Sequence, residues 1–342
     1  MRSIIKFFIF TFCASNVFFN VYAQNTNLMK TYGVEFAGFF DFQQQFQISP
    51  NSNNGMNYGQ FELGISKNLN NFVSTEGAIA FNSETEKFEL GSAICDIHLF
   101  GNDTEHLRKS SFFNSSGIQV GQFDIPFGID YKFIPSPDRK FVSTPFVVQK
   151  TINCMNNLGV NFYGESNFTN FNFFLINGLT DKDVALGGRA SIFPFENFEL
   201  GTSYLANLKK VEINNSRIYG MDFQLTFKQI EFRSEVLQSY GIIEGAIDDC
   251  GLFNNHKGYY IQSIGYLDQY FEIPLFVGFR LGYWKTDNNL FQNNIENSLH
   301  RITSTLGYLI TSGVEVRVEL VNDKYYNQNN NTTLTSQLVV NF

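Results

Sequence analysis

The chain has 342 residues, with 24 Lys and Arg against 32 Asp and Glu, which gives a formal net charge of −8 at pH 7. This acidic balance argues against nucleic acid as a partner. Aromatic residues make up 17% of the chain, yet mean hydropathy is only −0.14, and no stretch after residue 23 contains eighteen consecutive apolar residues. Membrane-spanning helices are therefore excluded, and the composition is typical of membrane strands in which apolar and polar residues alternate.

The N-terminus predicts a cleaved signal peptide over residues 1–23. Arg2 and Lys6 form a positive start, an apolar stretch follows, and Ala23 precedes Gln24 as a small-residue cleavage site. We therefore expect export, with residues 24–342 forming one barrel domain. The cysteines left after cleavage are too few and too far apart for a disulfide framework.

Period-two alternation continues through the rest of the chain and predicts sixteen strands. In "SGVEVRVELVN" the apolar positions are Val314, Val316, Val318 and Leu320, while Glu315, Arg317 and Glu319 occupy the other phase. The predicted strands are 32–47, 56–66, 72–82, 87–99, 117–125, 157–164, 168–177, 186–193, 196–206, 217–227, 229–239, 257–267, 273–285, 298–309, 312–322 and 332–342.

The connections between these strands alternate in length. Tight turns such as "KQ" and "ITS" lie at one end, and Asn-rich loops such as "TDNNLFQNNIEN" lie at the other, although residues 100–116 break this rule. The asymmetry favours an up-and-down transmembrane β-barrel over a secreted β-sandwich, with short periplasmic turns and long external loops. We expect it in the outer membrane of a Gram-negative-type bacterium. The last strand ends at Phe342 and resembles the signal that the barrel-assembly machinery recognises.

One external connection, the third, is unusually long. Residues 126–156 contain Pro126 and two further prolines and show no pattern of regular structure. A barrel of sixteen strands is wide enough to hold water, so a loop folded into the lumen would narrow it. The sequence therefore predicts a constriction loop over residues 126–156.

The stretch "VGQFDIPFGIDYKF…DRKF…NNLGVNFYG" resembles the phosphate-selective porin O and P-like family of outer-membrane porins. The resemblance rests on V-G-Q-F at the end of a strand, then P-F-G, an acid at Asp130, an arginine at Arg139, and Gly159-Val160 at the next strand. It implies a sixteen-stranded barrel, often a homotrimer, whose third external loop constricts the pore.

The candidate site residues are charged. In the loop they either contact solute at the constriction or anchor the loop by salt bridges, for instance from Arg139 to Glu76 or Glu62. The proposed constriction residues are Asp130, Lys132, Asp138, Arg139 and Lys140, and the proposed pore lining is Glu62, Glu76, Arg189, Arg233, Arg280, Arg301 and Arg317.

No enzyme motif, metal-ligand spacing or cofactor motif stands out in the sequence. We therefore expect no enzyme, cofactor or metal, and we interpret the chain as a porin for passive diffusion of small hydrophilic solutes or ions. The expected partners are outer-membrane lipid, the transported solutes and the assembly machinery. The alternative is a surface adhesin or envelope-structural barrel with a plugged lumen.

Overall fold

The computed structural model describes residues 33–47, 55–82, 87–101, 112–152, 155–178, 184–208, 216–240, 255–287, 296–326 and 330–342. The predicted signal peptide and most of the irregular connection at 100–116 lie outside these residues. Over the described part, no helix is both long enough and apolar enough to cross a membrane.

Sixteen antiparallel strands form one closed barrel, in which each strand pairs with its neighbours in the chain and β1 pairs with β16. At the seam, the N–H of Gly38 donates to the Phe342 carbonyl and the N–H of Phe342 donates back, each at 2.9 Å. The predicted all-β fold, a closed antiparallel barrel of sixteen strands, is confirmed. The strands are β1 Val34–Gln47, β2 Gly55–Asn70, β3 Val73–Asn82, β4 Lys87–Gly101, β5 Ser115–Asp124, β6 Asn156–Glu165, β7 Thr169–Asn177, β8 Val184–Phe195, β9 Phe198–Asn207, β10 Arg217–Phe227, β11 Ile230–Tyr240, β12 Asn255–Tyr266, β13 Leu275–Asp287, β14 Glu296–Thr311, β15 Val314–Tyr325 and β16 Asn331–Asn341.

Alternating side chains in the strands have opposite surroundings. In β8 the side chain of Arg189 is 2% exposed, while that of Leu186, on the other phase, is 48% exposed. Because a closed barrel has an inside and an outside, the buried polar phase points inward and the exposed apolar phase points outward. The alternation that predicted the strands is thus the alternation between the two faces of the barrel wall.

The strand ladder is irregular at several places. The register shifts between Ala78 and Ile79 in the β3–β4 pair, and between His98 and Phe100 in the β4–β5 pair. A bulge shifts the phase of the side chains that follow it. These two irregularities lie on either side of Cys95 in the barrel wall.

Within the described residues, three short helices lie between strands. A 3-10 helix, Asp130–Phe133, and helix α1, Phe146–Gln149, belong to the connection between β5 and β6, and helix α2, Asp268–Phe271, joins β12 to β13. The prediction that residues 126–156 have no regular structure was therefore wrong. Single helical turns are too short to leave an apolar period in the sequence, so the pattern could not reveal them.

Candidate functional site

The connection between β5 and β6, called here the β5–β6 segment (residues 125–155), packs its apolar side chains against buried side chains of the strands. Phe127 and Val147 are almost fully buried in one cluster with wall residues. Apart from Phe123 on β5, the buried wall residues of this cluster interrupt the polar inward phase near the long-loop ends of β7 to β12. They are Phe174, Ile176, Ala185, Leu205, Ile218, Leu237 and Tyr260.

Two lysines of the segment form ion pairs with wall carboxylates. Lys132 Nζ lies 2.8 Å from Glu199 Oε2 on β9, and Lys140 Nζ lies 2.7 Å from Glu315 Oε2 on β15. Both carboxylates are largely buried, so each lysine compensates a charge that would otherwise be costly to bury.

Backbone groups of the segment are also bound to the wall. Glu319 on β15 accepts hydrogen bonds from the N–H groups of Val142 and Ser143. Arg280 on β13 donates to the Ser143 carbonyl at 2.9 Å and stacks on Phe141, with 4.5 Å from its guanidinium carbon to the ring centroid. The segment is thus fixed to two strands at this point by charge-assisted hydrogen bonds.

Asp130 lies in a second set of wall contacts. Its carboxylate accepts a 2.9 Å hydrogen bond from the Tyr260 hydroxyl, and Arg233 Nη1 lies 3.6 Å from it. Nearby, the N–H of Gly128 donates to Ser203 Oγ at 2.9 Å. Gly128 has φ +66°, and a Cβ at this position would overlap an oxygen of Glu235, which is 1% exposed. The turn at Gly128 therefore requires glycine both for its conformation and for its close approach to the wall.

Arg139 differs from the other cations of the segment. Its guanidinium donates to the side-chain oxygens of Thr144 at 3.1 Å and Gln60 at 3.3 Å, and its Nε is buried without a hydrogen-bond partner. Among the described residues it forms no ion pair with Glu62, Glu76 or any other carboxylate, so wall carboxylates anchor Lys132 and Lys140 instead. Burial lowers the pKa of the Arg139 guanidinium. Asp138, the neighbouring residue in the chain, is exposed in a turn.

The arginines predicted to line the pore lie mainly in ion pairs. Arg189 donates to Asp222 at 2.5 Å and to Glu199 at 3.0 Å. Arg317 is 0% exposed and bonds to Glu315 and Gln337. Arg233 pairs with Glu231 at 2.5 Å, and Arg301 makes two bonds to Asp323 at 2.6 and 2.7 Å. These four paired arginines contribute little free positive charge to the lumen. Arg280 forms no ion pair among the described residues and donates instead to the carbonyl and hydroxyl oxygens of Ser143.

Acidic side chains on β2 to β5 have different surroundings, and we call Glu62, Glu76, Asp96 and Asp124 the acidic wall. Glu76 and Asp124 are exposed, Glu62 is half-buried, and the charges of these three repel one another. Within the described residues, none of these three forms an ion pair. The negative charges of Glu62, Glu76 and Asp124 are therefore not compensated by a neighbouring cation of the described residues.

Sequence reasoning missed the groups that receive the segment, including Gln60, Ser203 and Tyr260. The inward apolar residues of β7 to β12 are visible in the sequence as interruptions of the polar phase, and that was the available signal. The carboxylates Glu315 and Glu319 were assigned to the polar phase, but their partners in the segment are more than 170 positions away.

No family model and no curated protein matches the chain. Solved structures of outer-membrane proteins do match it. OprB of Pseudomonas putida has a TM-score of 0.67 at 10% identity, covering 92% of this chain and 96% of its own. OmpF of Salmonella typhi, in complex with daunomycin, has a TM-score of 0.66 at 10% identity, covering 91% and 99%. A trimer form of OmpT from Vibrio cholerae has a TM-score of 0.62 at 9% identity, covering 90% and 99%. At such low identity these likenesses establish the fold, a closed barrel similar to those of outer-membrane porins.

Proposed function

We propose that the protein is a passive diffusion channel of the outer membrane, in which the β5–β6 segment lies inside the barrel and narrows the lumen. The observation that carries the proposal is the set of strands the segment touches. It bonds to β2, β9, β11, β12, β13 and β15. Because β2 and β9 are seven strands apart in a ring of sixteen, a segment outside the barrel could not reach all of these strands.

The open part of the lumen then lies beside the acidic wall. Inward arginines on β8, β14 and β15 are neutralised by Glu199, Asp222, Glu315 and Asp323. Glu62 and Glu76, by contrast, form no ion pair in the part of the chain that the structure describes. A passing ion therefore meets uncompensated negative charge, and we propose a preference for cations. The same argument disfavours phosphate selectivity, which requires clustered free donors from Arg or Lys.

Reconstitution of the purified protein in a planar bilayer tests this function. We expect discrete conductance steps and, across a KCl gradient, a reversal potential of the sign that indicates K⁺ preference. A reversal potential of the opposite sign would overturn the cation preference while leaving the channel intact.

The second candidate function is an interaction barrel with a plugged lumen. The observation in its favour is the apolar packing of Phe127 and Val147 against the inner wall, together with the full burial of Arg317. A protein that inserts, as judged by heat-modifiable gel migration, but never conducts would favour this candidate over the channel.

We also propose a homotrimer, assembled with help from the barrel-assembly machinery acting on the strand that ends at Phe342. The trimer form of Vibrio cholerae OmpT supports the first part, and the exposed Phe342 side chain supports the second. Native mass spectrometry of the detergent-solubilised protein would give the subunit number. Deletion of Phe342 should lower the amount of folded barrel in the membrane.

A further inference from the structure

A row of polar side chains crosses the inward face of β3 to β6 near the turn between β2 and β3. Ser74 on β3 is directly opposite Asp96 on β4, and His98 lies two residues further along β4. The Ser74 hydroxyl lies 3.1 Å from Nε2 of His98. Nδ1 of the same ring lies 3.3 Å from the Tyr163 hydroxyl and 4.0 Å from an oxygen of Asp96. The row therefore runs from a serine through a histidine and a tyrosine to an acid.

A glycine on β5 allows the tyrosine of β6 to reach this histidine. Gly117 pairs with His98 on one side and with Tyr163 on the other. A Cβ on Gly117 would lie 2.5 Å from the Tyr163 hydroxyl oxygen, so the tyrosine side chain lies across the glycine. Gln119, two residues along β5, donates a 3.2 Å hydrogen bond to Asp96. The acid and the tyrosine are thus both held in place from β5.

The hydrogen bonds of Tyr163 determine which nitrogen of His98 carries the proton. The Tyr163 hydroxyl lies 3.1 and 3.2 Å from the two oxygens of Asp96. A carboxylate only accepts, so the single hydroxyl proton of Tyr163 is donated to Asp96. The Tyr163 oxygen then accepts from His98, which places the ring proton on Nδ1. Nε2 is left with a lone pair, and the Ser74 hydroxyl donates to it.

This arrangement is open to solute on the inward face. The side chain of His98 is 33% exposed, and Ser74 is half-buried on the same phase as Glu76 of the acidic wall. Asp96 compensates the positive charge that His98 gains when it takes a proton. Asn68 is exposed directly opposite Ser74 on β2. A carboxamide N–H beside a nucleophile stabilises the oxyanion that forms when a carbonyl is attacked.

We propose that Ser74 is a nucleophile with His98 as its general base, and that the pair hydrolyses small carboxylic esters that enter the lumen. Attack of Ser74 Oγ on the ester carbonyl transfers the hydroxyl proton to Nε2, and the alcohol leaves with that proton. Water then attacks the acyl-serine. His98 takes a proton from this water and returns it to Oγ as the carboxylic acid departs.

A fluorophosphonate probe and p-nitrophenyl acetate test the site in the folded, detergent-solubilised protein. Mass spectrometry of the digested protein locates the serine that the probe modifies, and release of p-nitrophenolate measures ester turnover. The variants are Ser74→Ala and His98→Gln. The control is Ser92→Ala, because the Ser92 hydroxyl also bonds to an acid, Glu76 at 3.4 Å, but contacts no imidazole among the described residues. Gel migration before and after heating verifies folding.

We expect the adduct on Ser74 and none on Ser92. S74A should lose labelling and turnover, H98Q should lower both at least about a hundredfold, and S92A should equal wild type. Equal turnover in S74A and S92A would overturn the proposal. An adduct on another serine, or none on Ser74, would also overturn it, and wild type alone gives this result if a variant does not fold.

Tyr163 acts as a positioning residue, and NMR of the histidine ring nitrogens measures its effect. In wild type at neutral pH, His98 should carry its proton on Nδ1. Tyr163→Phe removes the acceptor for that proton, so the proton should move to Nε2 and ester turnover should fall. An unprotonated Nδ1 in wild type would overturn the proposal, because Ser74 would then have no base.

Ester turnover in detergent does not depend on current through the barrel, so this inference and the proposed channel fail separately. A protein that hydrolyses the ester but never conducts would remove the channel function and leave the Ser74 site. A protein that conducts without an adduct on Ser74 would do the reverse.

Discussion

The N–H of Ser143 donates a 3.0 Å hydrogen bond to Oε1 of Glu319 on β15. The other oxygen of the same carboxylate accepts from the neighbouring N–H of Val142 at 2.9 Å. One buried side chain thus satisfies two consecutive backbone donors that have no strand partner. The position of the β5–β6 segment near β15 depends on this carboxylate.

Substitution of Glu319 should loosen the segment. Glu319→Ala leaves two N–H groups without an acceptor, and we expect a loss of about 1–3 kcal/mol in the free energy of unfolding. Glu319→Gln keeps one acceptor and should be milder. Single-channel recordings should show larger and noisier conductance in the order wild type, E319Q, E319A.

The control for Glu319 is Glu196→Ala, which removes an exposed carboxylate in the turn between β8 and β9. Its traces should match wild type. Indistinguishable recordings from E319A and E196A would mean that this contact does not hold the segment.

Gly128→Ala should disturb the segment at its other end. Alanine at φ +66° costs about 1–2 kcal/mol from backbone strain, and the added Cβ would also overlap the Glu235 carboxylate. Gly33→Ala is a matched control, because Gly33 has φ +60° and open space around the Cβ position. We expect G128A to lower the free energy of unfolding more than G33A does.

A double variant isolates the overlap at Gly128. Glu235→Ala removes the atoms that the new Cβ would meet, so G128A/E235A should recover the part of the loss that exceeds backbone strain. Denaturant titrations of the four proteins complete the cycle. Additive losses would show that Gly128 does not touch Glu235 in solution.

Leu320→Arg tests the outward phase of β15. Leu320 is exposed on the outer face, and Asn322 lies two residues closer to the long-loop end of β15. An arginine facing the apolar band of the bilayer should cost about 2–4 kcal/mol, whereas Asn322→Arg, nearer the headgroups, should cost about 0–1 kcal/mol. Refolding titrations in lipid vesicles measure both. Equal costs would contradict the placement of Leu320 nearer the bilayer midplane than Asn322.

The sequence was sufficient for the strands because the two phases face different solvents. The alternation of apolar and polar residues located all sixteen strands, but it predicted the strand ends less accurately. β2 continues to Asn70 and β14 begins at Glu296, since backbone pairing extends past the apolar band into residues that carry no alternation. In a polar stretch, the sequence does not distinguish the last residue of a strand from the first residue of a loop.

The site was less predictable because its contacts cross the barrel. Lys132 is recognisable as a loop cation, but its partner Glu199 is 67 residues away and is selected by three-dimensional register alone. Arg139 is an example of a contact that the sequence did not predict. Its predicted partner was a carboxylate, whereas its actual partners are the neutral side chains of Gln60 and Thr144. Residue type predicts that a buried charge needs a partner, but not which partner it has.

Neutralising the acidic wall should weaken cation preference. A unit charge about 10 Å from an ion in water changes its energy by about 0.4 kcal/mol. Glu62→Gln/Glu76→Gln removes two such charges, so K⁺ loses and Cl⁻ gains about 0.8 kcal/mol each. The K⁺ to Cl⁻ permeability ratio, measured from the reversal potential in a KCl gradient, should therefore fall about sixteenfold.

Glu315→Gln is the matched comparison for the acidic wall, because its carboxylate is buried between Lys140 and Arg317. Removing that charge leaves Lys140 and Arg317 partly uncompensated and weakens the hold on the β5–β6 segment. We therefore expect E315Q to change both the reversal potential and the channel noise. The double variant on β2 and β3 should shift the potential with noise unchanged, since Glu62 and Glu76 make no bond to the segment in the described residues. A reversal potential equal to wild type in the double variant would place the ion path away from β2 and β3.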